Sequence, residues 1–334
     1  MLDIINSYKF ARISDVVFSE DLSIEQFYNL ELPEIKILEK HHRVKYLNLL
    51  FKIKDNDIIF CETSHVKFLF KLLKNLNLKN ITLITSQSDI EIDSKFVSKL
   101  PKSIKSWYCI NSSTSNSKLK PIPIGIANEY EKNLSSKDFK ILNSDFFDEK
   151  EYLLYVNFNI NTNRRKRAHL YDLFKNNPKF LVSSHNTNKI IYKNNIMRSS
   201  FVLCPEGNGI NTHRFWETIY LGSIPVVEER SHYESFRDLP VLVVDKYDNI
   251  TNEVLLDFLN NNRNTEYNLE KLNFEYWNKE ITKNKQNTVL NSVEIKINYF
   301  TLQKYLLKIK LRISLNKTKK LFIRYYWKLK KLRK

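Results

Sequence analysis

Residues 200–227 constrain the fold more than any other part of the chain, because two apolar runs flank a glycine loop and a short helix pattern. Three of the four glycines lie in this stretch, SFVLCPEGNGINTHRFWETIYLGSIPVV. The elements that it predicts are a strand over Phe201–Cys204, a loop over Pro205–Gly209, a helix over His213–Leu221 that Asn211 or Thr212 caps and Gly222 ends, and a strand over Ile224–Val227. The stretch therefore predicts a strand–helix–strand unit.

The loop and the helix start are typical of an anion site. Gly207 and Gly209 indicate a backbone that turns sharply or lets a ligand come close, and a helix opening after such a loop offers free N–H groups to a phosphate. Arg214 and Glu217 are spaced i, i+3 and share one face of the helix. In a nucleotide diphosphate site, the arginine would contact the phosphates and the glutamate the ribose hydroxyls. The spacing fits equally well an αβ unit with a surface salt bridge.

Length and composition are those of a folded protein of two domains. The chain has 334 residues, 42% hydrophobic and 13% aromatic, which suffices for two cores. Cys61, Cys109 and Cys204 are far apart in apolar surroundings, which predicts free buried thiols in a reducing compartment, and no Cys/His spacing matches a zinc site. We expect a cytoplasmic protein, since neither a signal peptide nor a membrane-spanning run is evident.

The positive charge is concentrated in the tail. Residues 301–334 carry thirteen Lys or Arg and no acid, which leaves a net charge of +4 on the first 300 residues. Apolar residues recur there at helical spacing, namely Leu306, Ile309, Ile313, Leu321, Tyr325, Leu329 and Leu332. This pattern predicts a helix lying on an anionic membrane surface, and no nucleic-acid partner is expected. The alternative is a terminal helix whose apolar stripe packs on the body.

Apolar runs and helix patterns alternate on both sides of a polar region at Asn133–Lys150. Strands are predicted over Asp15–Ser19, Asp57–Cys61, Asn80–Thr85, Lys105–Asn111, Tyr152–Phe158, Lys179–Ser183 and Val241–Val244. Helices are predicted over His65–Leu76, from Arg164, and over Ile190–Met197, Glu253–Asn261 and Leu272–Ile281. The alternation predicts parallel sheets in domains over residues 1–145 and 146–285, followed by helices and the basic tail over residues 286–334.

The opening stretch also resembles the C-terminal signature of the exostosin-like glycosyltransferases and their bacterial polysaccharide-biosynthesis relatives. The shared features are a strand, Cys-Pro-x-Gly, a small polar residue and Gly, Arg and Glu in one helix, and Gly-x-Ile-Pro-Val-Val. Weaker similarity in ITLITSQSD, WYCIN, PIPIGIAN and YVNFN extends over most of residues 57–245. The resemblance implies an α/β fold of two Rossmann-like domains facing across a cleft, called GT-B. A basic amphipathic C-terminal helical tail would lie outside it.

The resemblance implies a donor site on the C-terminal domain. Its residues would be Arg164, Arg167, Glu206, Gly207, Asn208, Gly209, Asn211, Thr212, Arg214 and Glu217. Arg214 and Arg167, or its neighbour Arg164, would meet the diphosphate, and Glu217 the ribose. Asn211 departs from the family, whose members often have an acid there. No paired acids of the Asp-x-Asp type occur between small apolar residues, so we expect neither a metal nor a cofactor beyond the nucleotide-diphosphate sugar.

An inverting transfer also needs a general base, which we expect on the N-terminal domain. Asp89 lies at the end of a predicted strand, where open parallel sheets bind ligands; it could equally be a turn residue. His65 is the second candidate, with a helix start as the alternative. No local pattern decides between these interpretations.

These features predict a glycosyltransferase that moves a sugar from a nucleotide-diphosphate sugar to a glycan or lipid-linked acceptor. It would work in surface polysaccharide synthesis, peripherally on the inner face of the membrane. Within the same fold, a fucosyltransferase-like enzyme with a guanosine donor competes with it. A different alternative is a non-catalytic basic α/β module that binds anionic lipid or nucleic acid through its tail.

Overall fold

The protein is a mixed α/β protein with two main sheets in a computed structural model. The structure describes residues 2–127, 134–139, 146–183, 187–283, 285, 288–311, 314–315 and 318. The strands of the first sheet end at Pro121 and those of the second begin at Tyr152.

The elements are numbered in chain order. The strands are β1 (Val16–Ser23), β2 (Ile35–Lys40), β3 (Arg43–Asn48), β4 (Leu50–Lys54), β5 (Ile58–Glu62), β6 (Ile81–Ser86), β7 (Ile104–Cys109), β8 (Leu119–Pro121), β9 (Tyr152–Val156), β10 (Phe180–Val182), β11 (Ser199–Leu203), β12 (Ile224–Glu228), β13 (Leu242–Val244) and β14 (Ser292–Lys296). The helices are α1 (Ser7–Arg12), α2 (Ile24–Tyr28), α3 (Val66–Leu73), α4 (Ser94–Val97), α5 (Arg164–Arg167), α6 (Leu170–Phe174), α7 (Lys189–Met197), α8 (His213–Tyr220), α9 (Asn252–Asn262), α10 (Phe274–Thr282) and α11 (residues 299–311).

The first sheet has the strand order β2-β3-β1-β5-β6-β7-β8. From β1 to β8 the pairs are parallel, which confirms the strands predicted as β1, β5, β6 and β7, whereas β8 was not predicted. Strand β3 pairs antiparallel with β1, and β2 pairs antiparallel with β3. The antiparallel strands and β4 were not predicted, because charged residues interrupt their short apolar patterns. Strand β1 also runs four residues beyond its predicted end at Ser19.

The second sheet is parallel throughout, in the order β10-β9-β11-β12-β13. Strand β9, which comes first in the chain, lies inside the sheet between β10 and β11. The strand order therefore reverses between β9 and β11. In a doubly wound sheet, this reversal opens a crevice at the carboxyl ends of the two strands. The strand–helix–strand unit predicted over residues 200–227 is confirmed as β11, α8 and β12. The basic segment after β9 forms two short helices, α5 and α6, instead of one.

Two hydrophobic cores hold these elements. One covers one face of the first sheet and continues into the second unit through residues such as Phe60, Ile84 and Phe201. The other lies on the opposite face, where Phe68 of α3 packs near Leu302 of α11. Helix α10 packs back onto the body, as expected, with the rings of Phe274 and Phe10 centred 5.2 Å apart. The burial of both faces is expected of a sheet with parallel crossovers.

The described part of the predicted C-terminal region packs against the first unit. Strand β14 pairs antiparallel with β4, and the ring of Tyr305 on α11 stacks on Phe68 at 4.0 Å. Ile313 and the apolar positions predicted from Leu321 onwards lie outside the described residues. Among the helices of the described ranges, none combines the length and the apolarity that crossing a bilayer requires.

Candidate anion-binding site at the second sheet

The predicted donor residues gather where the strand order of the second sheet reverses. Asn157 follows β9, and the loop over residues 204–211 follows β11 and leads into α8. Arg214 of α8 points its Nη2 towards Asn157 Oδ1, at 3.5 Å. A side chain of α8, the helix that follows β11, thus reaches the end of β9, and these are the two strands that flank the crevice.

Arg167 holds the loop in place. Its Nε donates to Glu206 O (2.9 Å), its Nη2 to Pro205 O (2.6 Å) and its Nη1 to Thr162 Oγ1 (2.6 Å). Burial, helped by the charge of Arg214, lowers the pKa of Arg167 to about 10, still well above neutral pH. Its nitrogens therefore position the loop, whereas Arg164 is exposed and lines a surface pocket of about 390 Å³.

The loop glycines make room for the protein's own side chains. A Cβ at Gly207 would lie 3.2 Å from Arg167 Nη2, and one at Gly209 would lie 2.9 Å from Asn111 Nδ2. The close approach predicted from these glycines thus involves Arg167 and Asn111 instead of a free opening. Gly222 has a φ of +76°, which confirms it as the left-handed residue that ends α8.

The first turn of α8 has polar atoms that nothing satisfies. Thr212 is the N-cap residue, with an extended backbone, but its side chain makes no capping hydrogen bond. Thr212 Oγ1 and Arg214 Nε are both buried and have no hydrogen-bond partner. Buried polar groups are nearly always paired, so each orphan calls for an explanation. An anion bound at this helix start would accept hydrogen bonds from the orphaned atoms and complement the helix dipole.

Asn211 does not cap the helix. Its Oδ1 accepts a hydrogen bond from Trp216 Nε1 at 2.8 Å, and its Nδ2 donates to Ile122 O at 3.4 Å. The carboxamide is buried and its polar atoms are used within the protein. The Asn211 carboxamide therefore serves the contact between the two units.

Glu217 and Arg214 share one side of α8, as their spacing predicts. The hydroxyl of Tyr192 donates to Glu217 Oε2 at 2.9 Å, and the Arg214 guanidinium lies 5.4 Å from the centre of the Tyr192 ring. Burial raises the pKa of Tyr192 well above its ordinary value, so this hydroxyl remains a donor. Glu217 is itself buried, which excludes a plain surface salt bridge.

Glu206 is neutralised by two cations. Its carboxylate bonds to Lys166 of α5 and to Arg230, two residues after β12. Arg230 was not predicted, although polar residues after a parallel strand are the signal that could have found it. Asn208, at the tip of the loop, is exposed.

The two predicted catalytic residues lie in different surroundings. Asp89 is exposed, three residues beyond β6. His65 contacts Tyr305 through Nδ1 (2.6 Å to the hydroxyl) and lies 3.4 Å from Glu62 Oε2 through Nε2, and burial lowers its pKa to about 4. No hydrogen bond recorded in the described residues joins His65 to α8, and Tyr305 belongs to the core on the far face of the sheet.

Asn111 connects the two units and was also missed. Its Oδ1 accepts from Asn211 N at 2.9 Å, and its Nδ2 donates to Ser88 O at 3.2 Å. Since Ser88 precedes Asp89, one carboxamide links the loop before α8 to the loop after β6. His213 Nδ1 adds a second link, 2.8 Å from Gly125 O.

Cys61, Cys109 and Cys204 are buried free thiols, as predicted. Within the described ranges, no three His, Cys, Asp or Glu side chains are grouped to hold a metal ion.

No family model matches this chain, and no curated protein matches it. What the protein does is therefore inferred from its own residues and geometry.

Proposed function

We propose that the protein is a glycosyltransferase that takes its sugar from a nucleotide-diphosphate donor bound at the start of α8. The observation that carries this proposal is the pair of orphaned atoms there, Thr212 Oγ1 and Arg214 Nε. A phosphate oxygen would satisfy both the guanidinium and the helix N–H groups, with charge-assisted hydrogen bonds. Glu217, one turn later, would accept hydrogen bonds from ribose hydroxyls.

The arrangement suits the chemistry of sugar transfer. The nucleoside diphosphate gains negative charge as the bond to the sugar breaks, and fixed donors aimed at that charge stabilise the transition state. Arg214 supplies such a donor, and the charge of Arg230 lies at the same sheet edge. The two sheets would form the facing domains of a GT-B enzyme, with the acceptor glycan or lipid-linked glycan on the first unit. Transfer would be inverting.

Titration calorimetry with UDP and GDP tests the donor site. Arg214→Gln removes one charge-assisted hydrogen bond and should weaken nucleotide binding by about 10- to 100-fold, since such a bond contributes about 1.5–3 kcal/mol. Arg165→Gln, an exposed arginine on α5, is the matched control and should bind as the wild type does. Tighter binding of GDP than of UDP would favour the fucosyltransferase-like alternative. Failure of the wild type to bind either nucleotide would overturn the proposal.

We place the enzyme on the inner face of the membrane through α11. One side of α11 packs on the body through Leu302, Tyr305 and Leu306. Leu306 therefore does not face lipid, contrary to what its helical spacing predicted. The opposite side of α11 carries Phe300, Leu307 and Leu311, which are 76%, 59% and 55% exposed. Exposed lysines flank this stripe on both sides, at positions 304, 308 and 310. An apolar stripe bordered by lysines suits an anionic bilayer surface.

Sedimentation with phosphatidylserine-containing vesicles tests this location. Leu307→Glu with Leu311→Glu should abolish co-sedimentation, because both carboxylates would enter the lipid interface. Ile190→Glu, an exposed apolar residue on α7, is the control and should leave binding unchanged. Nucleotide affinity should be equal in all three proteins. A double variant that still co-sediments would contradict the proposed location.

A further inference from the structure

A surface pocket opens at the carboxyl edge of the second sheet, beside the end of β9. Its volume of about 390 Å³ is in the range of small-molecule sites. One part of its lining is aromatic or apolar and consists of Phe158, Ile160, Ala168 and Tyr171. The other part is polar and consists of Asn159, Asn161 and Arg164. This lining suits a flat ring that carries hydrogen-bonding atoms at its edge.

The aromatic part of the lining is held in place by the backbone of the loop after β9. The rings of Phe158 and Tyr171 are centred 4.7 Å apart. The Tyr171 hydroxyl accepts a hydrogen bond from Phe158 N at 2.9 Å and donates to Phe158 O at 2.7 Å. Because this hydroxyl is already used within the protein, Tyr171 offers a ligand its ring, which is a surface for stacking.

Arg164 supplies the positive charge of the lining. Its side chain is exposed, and within the described ranges no ion pair or hydrogen bond engages its guanidinium. Arg167 on the same helix differs, because its guanidinium donates to the backbone of the loop before α8. A guanidinium has only donors and remains charged, so Arg164 is suited to a ligand atom that accepts hydrogen bonds.

The pocket lies next to the proposed phosphate position at Arg214. The Tyr171 hydroxyl is 3.2 Å from Ser183 O, and Asn157 Nδ2 donates to Ser183 Oγ at 2.9 Å. Asn157 Oδ1 in turn lies 3.5 Å from Arg214 Nη2. Burial raises the pKa of Tyr171, and the charge of Arg214 acts against this rise, so the two side chains are within electrostatic reach. A diphosphate bound at Arg214 would therefore carry its nucleoside close to the pocket.

We propose that this pocket binds the base of the donor nucleotide and that Arg164 selects bases with a carbonyl oxygen, an inference that rests on the proposed function. The ring of the base packs on the aromatic and apolar lining, as bases do on aromatic side chains. Arg164 donates to the exocyclic carbonyl, which is O4 in uracil and O6 in guanine. Adenine has an amino group in place of O6, and an amino group does not accept from a guanidinium. The carboxamides of Asn159 and Asn161 can pair with either kind of edge, so Arg164 decides the choice.

Titration calorimetry on the full chain, with UDP, GDP, ADP and inorganic pyrophosphate, tests the pocket. Pyrophosphate reports the phosphate position alone, so UDP and GDP should bind the wild type at least about 10-fold more tightly than it does. Ala168→Trp fills the pocket and should reduce the affinity for UDP and GDP to that for pyrophosphate. His169→Trp, at the exposed neighbouring residue outside the lining, is the matched control and should bind all four as the wild type does. An unchanged pyrophosphate affinity shows that each variant is folded.

The role of Arg164 is tested with the same four ligands. Arg164→Met removes the donors and should weaken the binding of UDP and GDP at least about 10-fold, the usual effect of losing a hydrogen bond to a charged group. Their preference over ADP should disappear, and pyrophosphate should bind as before. Arg165→Met removes the same charge at the next exposed residue and should keep the preference. Equal affinity of the wild type for ADP, UDP and GDP would contradict the selection by Arg164.

Three further results would overturn the inference. The wild type could bind UDP and GDP no more tightly than pyrophosphate, which would mean that the protein does not contact the base. Ala168→Trp could bind nucleotides as the wild type does, which would place the base outside the pocket. Arg164→Met could weaken pyrophosphate as much as UDP, which would place this guanidinium at the diphosphate. A wild type that binds neither pyrophosphate nor any nucleotide would instead overturn the proposed function, so the two failures are distinguishable.

Discussion

The carboxyl edges of the two sheets have opposite chemistry. At the second sheet, Arg167 and Arg230 bond to Glu206 in the loop that precedes α8, and Arg214 lies in the first turn of α8 with its Nε unpaired. At the first sheet, Glu20, Asp21 and Glu62 are buried, and burial raises the pKa of each. An edge with unpaired donors suits a phosphate, whereas an edge with several buried carboxyl groups disfavours a further negative charge. The proposed anion site therefore belongs to the second sheet and not to the first.

The largest effect expected from this contrast is on the pH dependence of the free energy of unfolding. Because the folded-state pKa of Glu20 is raised from 4.5 to about 7, the fold favours the protonated carboxyl. Its contribution is fully present below pH 4.5 and is lost as the pH rises through 7. Relative to Glu20→Gln, the wild type should lose roughly 2–3 kcal/mol of unfolding free energy between pH 5 and pH 8. Urea denaturation of both proteins at the two pH values measures this loss.

An exposed acid of the second unit provides the control. The hydrogen bond from Arg237 lowers the pKa of Glu234, so its contribution has the opposite sign and is lost as the pH falls. Glu234→Gln should therefore show a small difference from the wild type in the other direction. Equal pH dependence in the wild type and in Glu20→Gln would mean that Glu20 ionises normally in the fold, and the contrast between the edges would fail.

A smaller effect is expected where the two edges meet. In Gly209→Ala, the new Cβ would lie 2.9–3.2 Å from the Asn111 carboxamide, which two hydrogen bonds hold in place. Overpacking of this kind should cost about 2 kcal/mol of unfolding free energy. Urea denaturation of Gly209→Ala, Asn111→Ala and the double variant forms a cycle. If the clash is the cause, the double variant should be no less stable than Asn111→Ala alone; additive losses would contradict the bridge.

The sequence predicted the second edge far better than the first. Its phosphate-site candidates are contiguous, since Gly207, Thr212, Arg214 and Glu217 lie within eleven residues of one strand–loop–helix unit. Local propensity therefore predicted the strand–helix–strand unit, which the structure confirms, whereas the phosphate site on it stays a prediction. The contacts of the glycines with Arg167 and Asn111 could not be predicted, because only the folded chain brings these side chains against them.

The first edge could not be predicted, because its parts are distant in sequence. Glu20 and Gln87 are brought together by the pairing of β1 and β6 with β5, and no short-range pattern signals such contacts. Because β1 was predicted to end at Ser19, Glu20 was not recognised as a residue of the same strand. Similarly, helical spacing identified apolar positions on α11 but could not tell that Leu306 faces the body. Periodicity shows that a face exists, and tertiary packing decides what covers it.

The smallest effect separates the stability of α8 from its function. Thr212 is an N-cap residue whose side chain makes no capping bond, so the helix lacks a contribution that most helices have. In Thr212→Asp, the carboxylate can accept from the helix N–H groups and lie near the Arg214 guanidinium. The free energy of unfolding should rise by about 0.5–1 kcal/mol, while affinity for UDP or GDP falls, because the carboxylate occupies the place of the phosphate.

Thr251 at the start of α9 is the matched control, because its Oγ1 already accepts from Val254 N at 3.3 Å. Thr251→Asp exchanges one capping bond for another, so its stability should change less and its nucleotide affinity not at all. Urea denaturation and calorimetry on both variants make the comparison. Thr212→Asp could be more stable and still bind nucleotide as the wild type does. The missing capping bond would then affect only the stability of α8, and the anion would have to bind elsewhere. A gain in stability together with a loss of affinity is what an anion site predicts, because the same N–H groups cannot serve a fixed carboxylate and a phosphate at once.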